Sequence, residues 1–165
     1  MPGEPQPAPS TAPFTAPFTD RVEAQLDRAA ALCERHGARL TDLRRQVLGL
    51  VLDAGAPIGA YELLDRLRAY RRGAAPPTVY RALEFLLAQG VIHRVERLSA
   101  FVSCLGDDEH RHAAQFLICG GCGQVTEIDD HGVSHALAQA AQRNGFSIEG
   151  ATIEAEGRCA ACQAA

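Results

Sequence analysis

The chain has 165 residues, 47% of them hydrophobic, which is enough for one ordinary domain or two small ones that share a metal or an interface. No run approaches the ~18 consecutive apolar residues of a membrane span, and no basic N-terminal region leads into an apolar core, so the composition predicts a soluble, cytoplasmic protein without a membrane partner. The net charge of -4 argues against nucleic acid only until it is divided: residues 21–105 carry 13 arginines against 9 acids, a net +4, while residues 106–165 carry 3 against 9, a net -6, and opposite charge on two regions predicts two jobs.

Residues 1–20 (MPGEPQPAPSTAPFTAPFTD) are rich in Pro, Ala and Thr, repeat TAPF, and cannot bury a core. They read as a disordered tail whose two Phe residues are available for docking. From Arg21 to His36, Val22, Leu26, Ala29, Ala30 and Cys33 recur at helical spacing, and Gly37 follows as a C-cap glycine. Thr41 is placed to cap a second helix carrying Leu43, Val47, Leu50 and Val51, which Gly55 and Pro57 end. A third helix covers about residues 60–70. Beyond the breaker RRGAAPP, a fourth buries Val79, Ala82, Leu83, Leu86 and Leu87 and stops at Gly90. VIHRVERLSAFVSC then supplies two short strands around a turn near Leu98 and Ser99. Three helices and a hairpin make a winged helix-turn-helix over residues 21–104, and residues 105–112 form a hinge.

The acidic part, residues 113–165, has another rhythm: strand QFLIC, a Gly-rich knuckle, strand QVTEID, a helix over about residues 130–144, and a strand region FSIEGATIEAEG. This is a small α/β domain, so the whole chain is α+β. A sheet of so few strands leaves an edge and a face uncovered, which predicts a homodimer.

Six cysteines could make three disulfides, but disulfide frameworks belong to secreted chains, and paired thiols in a reducing compartment point to metal. Cys119 with Cys122 and Cys159 with Cys162 are two Cys-x-x-Cys pairs, a spacing that lets a tight turn aim two thiolates at one ion. Gly120, Gly121 and Gly123 supply the backbone freedom. Two pairs 36 residues apart fit one closed four-thiolate zinc site better than a redox motif, and a closed site has no position for a substrate. Its role is architectural.

A second constellation lies at the hinge. His93 and Cys104 flank the predicted wing, His110 and His112 precede the knuckle, and Glu127 follows it. Nitrogen, sulfur and carboxylate donors together suit zinc. Taken singly, each also has an ordinary reading: His93 a surface strand residue, Cys104 a small core residue, Glu127 a solvated acid. The carboxylates Asp107, Asp108 and Glu109 beside His110 leave room for a further, weaker metal site.

PPTVYRALEFLLAQGVIHRVE, the CGGCG knuckle and the terminal CAAC together resemble the ferric uptake regulator family of bacterial metal-dependent repressors, most closely its zinc uptake branch, over about residues 22–162. The resemblance implies that residues 77–89 are the recognition helix, with Thr78, Tyr80 and Arg81 meeting DNA and Tyr61 at another DNA-facing position. The chemistry agrees: Arg contacts phosphate or guanine, and Tyr offers a hydroxyl and an apolar face to thymine methyls. It implies a regulatory zinc on His93, Cys104, His112 and Glu127 besides the structural one, hence two zinc ions per subunit. Asp65 and Arg68, three apart, read as a weak local ion pair or as a contact between dimers on DNA.

The expected function is a dimeric, zinc-responsive repressor of zinc-uptake genes that binds palindromic operator DNA, with no enzymatic activity and no small-molecule substrate. An iron or peroxide sensor of the same family is the nearest alternative, but the region before the knuckle reads DDEHRH, with two histidines, and a thiolate at Cys104 is softer than iron(II) sensors use. Two readings come from other classes. One is a zinc hydrolase or deaminase using Glu127 as general acid or base; it lacks a His-Glu motif on one helix and leaves the basic region idle. The other is a thiol redox sensor acting through CGGC.

Overall fold

The first helix starts where the sequence supplies a cap: the Thr19 hydroxyl accepts from the Val22 N–H at 3.4 Å, and Asp20 and Glu23 sit in the first turn, where the helix dipole favours acids. The computed structural model describes residues 18–104 and 114–164. His110, His112, the carboxylates Asp107, Asp108 and Glu109, and the expected hinge lie outside the described residues.

Helices α1 (Asp20–Arg35), α2 (Asp42–Ala54), α3 (Ala60–Tyr70) and α4 (Pro76–Ala88) form the basic part. A sheet of β1 (Ile58–Gly59), β2 (Ile92–Val95) and β3 (Ala100–Ser103), ordered β1-β3-β2 and antiparallel throughout, closes it. Its core joins Leu26 of α1, Val47 and Leu48 of α2, Leu63 and Leu67 of α3, and Val79, Leu83 and Leu86 of α4. These residues carry the 3.6-residue periodicity seen in the sequence, so each helix presents one apolar stripe inward. Leu87, expected in that stripe, is only half-buried.

The acidic part consists of β4 (Ala114–Cys119), β5 (Val125–Ile128), α5 (His131–Arg143), β6 (Thr152–Gly157) and α6 (Ala160–Gln163). Its sheet is ordered β5-β4-β6, with β4 antiparallel to β5 and parallel to β6, and α5 lies in the crossover that a parallel pair requires. Alternation puts Ala114, Phe116 and Ile118 on one face, where they pack with Val125 and with Val95 and Val102 of the wing hairpin. The two parts therefore share a small second core across the wing. Emptying its centre, as in Phe116→Ala, falls in the range of about 3–5 kcal/mol for a buried aromatic.

Several elements differ from the sequence reading. The two-residue strand β1 and the short helix α6 were not expected, being too brief to show a period. The strand expected from residue 146 starts only at Thr152, after a loop around Gly145 with φ +66. Helix α1 begins inside the segment assigned to the tail, and Phe18 packs over Gly49 of α2, where an added Cβ would stand 2.2 Å from its ring. Thr41 holds the N-cap position of α2 but makes no side-chain cap bond.

Candidate metal centres and nucleic-acid face

Strand β4 delivers Cys119 to the end of the sheet, where Gly123, with φ +73, turns the chain so that its N–H donates to the Cys119 carbonyl at 2.9 Å. Cys122 stands inside that turn. Strand β6 runs alongside, the Gly120 N–H bonds the Gly157 carbonyl at 2.9 Å, and the chain ends in α6 with Cys159 at its N-cap and Cys162 within it. All four sulfurs lie within 4.8 Å of one another. A side chain at Gly121 would crowd the cluster, since an added Cβ would lie 3.1 Å from the Cys162 Sγ.

The electrostatics suit a cation. The Cys159 N–H donates to the Cys119 Sγ at 3.3 Å and, with the Cys122 and Gly121 N–H groups, draws that thiol down to about 6. Crowding by the Cys159, Cys119 and Cys122 sulfurs pushes Cys162 up to about 12. Four thiolates this close repel one another unless a cation lies among them, and a compact all-sulfur donor set is the one tetrahedral zinc takes.

The mixed cluster is built across the two sheets. His93 comes from β2, Cys104 follows β3 directly, its N–H on the Val91 carbonyl at 3.1 Å, and Glu127 comes from β5. Their donor atoms also lie within 4.8 Å of one another, and the His93 Nε2 is 3.3 Å from the Glu127 Oε1. Burial lowers the His93 pKa, but hydrogen bonds to Cys104 and Glu127 outweigh it and push it up to about 9. Phe116 meets His93 edge to face, with centroids 5.7 Å apart and planes at 65°, which fixes the ring. Nitrogen, sulfur and carboxylate donors in one half-buried pocket fit zinc. The fourth expected ligand, His112, is among the residues not described. Sequence reasoning did not single out Phe116; only its place in an alternating strand marked it as inward-facing.

In the basic part, Tyr80 and Arg81 project from α4, with Tyr80 43% exposed, while Thr78 is half-buried at the helix start. Core packing of Tyr80 is thereby excluded. Tyr61, in the first turn of α3, is 71% exposed. Asp65 and Arg68 pair within the chain at 3.2 Å on the exposed face of α3, and the Arg68 Nε also reaches the Ala74 carbonyl at 3.3 Å. In the acidic part, α5 buries none of its residues, and Leu117, Val133, Leu137, Phe146 and Ile148 form exposed apolar surface. Among the described residues, no helix is long and apolar enough to cross a membrane.

Comparison with known proteins gives this geometry a context. The model of the Ferric uptake regulator family matches residues 35–156. The Zinc uptake regulation protein of Escherichia coli (strain K12) is 42% identical over 137 residues, covering 83% of this chain and 80% of that protein. A solved structure of a zinc uptake regulator complexed with zinc and DNA superposes with a TM-score of 0.83 at 40% identity, over 88% of this chain and 97% of that one. Holo XcZur gives a TM-score of 0.79 at 42% identity over 86% of this chain and 99% of that one. Apo XcZur gives 0.52 at 41% identity over 88% and 99%. At nearly equal identity and coverage, the chain is therefore more similar in structure to the holo form than to the apo form. The chain, a winged helix-turn-helix followed by a small α/β dimerisation domain, belongs to the ferric uptake regulator family.

Proposed function

We propose that this protein is a zinc-responsive transcriptional repressor of the bacterial cytoplasm that, as a zinc-loaded dimer, binds palindromic operator DNA and switches off genes of zinc uptake. The observation that carries the reading is the mixed cluster: His93, Cys104 and Glu127 come from two different sheets and meet within 4.8 Å. The zinc uptake regulators it resembles, one of them solved with zinc and DNA, support the same conclusion.

In this reading each subunit takes two zinc ions. Cys119, Cys122, Cys159 and Cys162 hold one that closes the acidic part. His93, Cys104, His112 and Glu127 hold the other, which when bound supplies a link between the wing and the acidic sheet. Glu127 serves as a ligand rather than as a general acid or base, and the regulators that the chain resembles support a non-enzymatic reading. The exposed apolar surface of α5 and the sheet is the dimer face. A dimer presents two copies of α4, and two half-sites accept them together only when their spacing is right. Tyr80 and Arg81, with Thr78 and Tyr61, meet the DNA, and Asp65 and Arg68 can re-pair between neighbouring dimers.

Regulation then follows from differential affinity. The metal favours the arrangement in which its ligands meet, DNA favours the same arrangement, and linkage makes each tighten the other, typically by about 5- to 150-fold. The test is DNA binding across free-zinc concentration, with an operator duplex selected from random DNA by the loaded wild-type protein. Cys104→Ser and His93→Ala are expected to abolish the zinc dependence; an unchanged dependence in both would sink the mixed-site reading.

A further inference from the structure

The register of the acidic sheet places a second carboxylate beside the wing. Phe116 in β4 pairs with Glu127 of β5 on one side and with Glu154 of β6 on the other. Directly paired residues point to the same face, so Glu127, Phe116 and Glu154 form one row across the sheet, facing the hairpin. One end of the row reaches His93. The other reaches the wing backbone: the Glu154 Oε1 accepts from the Glu96 N–H at 2.6 Å and its Oε2 from the Arg97 N–H at 3.1 Å.

Those two N–H groups open the single 3-10 turn Glu96–Leu98, whose preceding residue, Val95, offers no side-chain cap. The turn closes through Ser99 at φ +48, a left-handed conformation uncommon outside glycine. A charged acceptor on two amides is worth more than a neutral bond, and this one is supplied from 57 and 58 residues away. The next residue on the same face of β6, Glu156, pairs with the Arg97 guanidinium. A Cβ added at Gly120 of the knuckle would stand 3.0 Å from the Glu156 Oε1. Strand β6 thus grips the wing turn from its middle and its C-terminal end and carries Cys159 and Cys162 just beyond that end.

We propose that Glu154 is a positioning residue that holds the wing in the zinc-competent arrangement, and so sets the zinc concentration at which the protein engages DNA. The inference rests on the zinc-responsive reading above. One attachment between two bodies leaves a pivot, whereas two separated attachments fix an orientation. The metal site is one attachment; the Glu154 clasp, made without metal, is another, and it adds a directed hold on the turn to the apolar contact of Val95, Val102 and Phe116 and to the Glu156–Arg97 pair. Removing the clasp lowers the population of the closed arrangement before zinc arrives, and apparent zinc affinity falls by the same factor.

The test uses the full-length dimer with Glu154→Ala and Glu154→Gln. In the Ala variant, amide exchange of Glu96 and Arg97, followed by NMR, is expected to quicken at least tenfold. The zinc concentration giving half-maximal binding of the selected operator is expected to rise three- to tenfold, with zinc content per subunit unchanged and operator affinity at saturating zinc within twofold of wild type. The Gln variant keeps an acceptor oxygen and is expected to fall between. A merely structural role would lower the melting temperature without moving the zinc midpoint. Wild-type exchange and an unmoved midpoint in the Ala variant overturn the proposal, as does a shift accompanied by loss of a zinc ion. If wild-type DNA binding ignores zinc, the repressor reading falls instead, while the amide exchange still decides whether Glu154 holds the turn.

Discussion

The four-cysteine cluster and the mixed cluster use overlapping chemistry but draw on the chain differently. The first takes its sulfurs from the ends of β4 and β6, neighbouring strands of one sheet, together with the turn and short helix that follow them. The second takes His93 and Cys104 from the hairpin and Glu127 from the acidic sheet. A site closed within one part can only strengthen that part; a site divided between two parts reports on their arrangement. The cysteine cluster runs from buried Cys119 to exposed Cys122 within one part, whereas the mixed site, half-buried in its described residues, adjoins the apolar contact of Val95, Val102 and Phe116 between the parts.

The sharpest way to break the comparison is to remove each site separately. Cys159→Ala is expected to lose one zinc per subunit and, with it, the cooperative melting of the acidic part and the dimer. Structural zinc contributes on the order of 10 kcal/mol, comparable with the whole stability of a small domain. Mild chelation of the wild type is expected to take the other zinc and leave the circular dichroism intact. Metal analysis alongside thermal melting decides it: a folded, dimeric Cys159→Ala variant, or chelation that melts the protein, would erase the distinction.

A smaller effect separates metal from DNA. Arg81→Ala is expected to weaken operator binding by about 1–2 kcal/mol, roughly 5- to 30-fold, and to flatten its salt dependence. Zinc affinity in the absence of DNA should stay at the wild-type value, as metal titration of the free protein would show. A change there would mean that α4 and the mixed site are not separable.

The smallest effect is on proton balance. The His93 pKa is raised from 6.5 to about 9 in the metal-free protein. Its ion-pair contribution to stability is therefore complete below pH 6.5 and disappears as pH rises through about 9. A ligand nitrogen must give up its proton, so zinc affinity at the mixed site is expected to rise up to tenfold per pH unit from 7 towards 9 and then level off. Calorimetry in buffers of different ionisation enthalpy should count the protons released by the His93 imidazole and the Cys104 thiol together, with the His93 share fading as pH passes about 9; a proton count that stays constant across that range would place His93 outside the ligand set.

Much of this molecule was legible from local pattern. Period, caps and breakers marked α1, α2 and α4 to within a residue or two, because each has one apolar stripe and a glycine near its end, and the ranges expected for α3 and α5 agree within a residue. The cysteine pairs were legible because their spacing within the chain is itself the geometry of a turn. Strand β1 and helix α6 escaped because two and four residues show no period, and the stretch after Gly145 escaped because its apolar residues are exposed rather than paired.

What the sequence determined by itself was the element content, the charge division between the two parts and the two Cys-x-x-Cys pairs, each of which depends on residues near one another in the chain. Only the tertiary structure decided that His93, Cys104 and Glu127 meet, and that Phe116 and Glu154 stand in the same row. These contacts depend on strand register and on the packing of one sheet over another. A slip of one residue in β5 or β6 would turn Glu127 or Glu154 to the opposite face, and no local signal in the sequence excludes that slip.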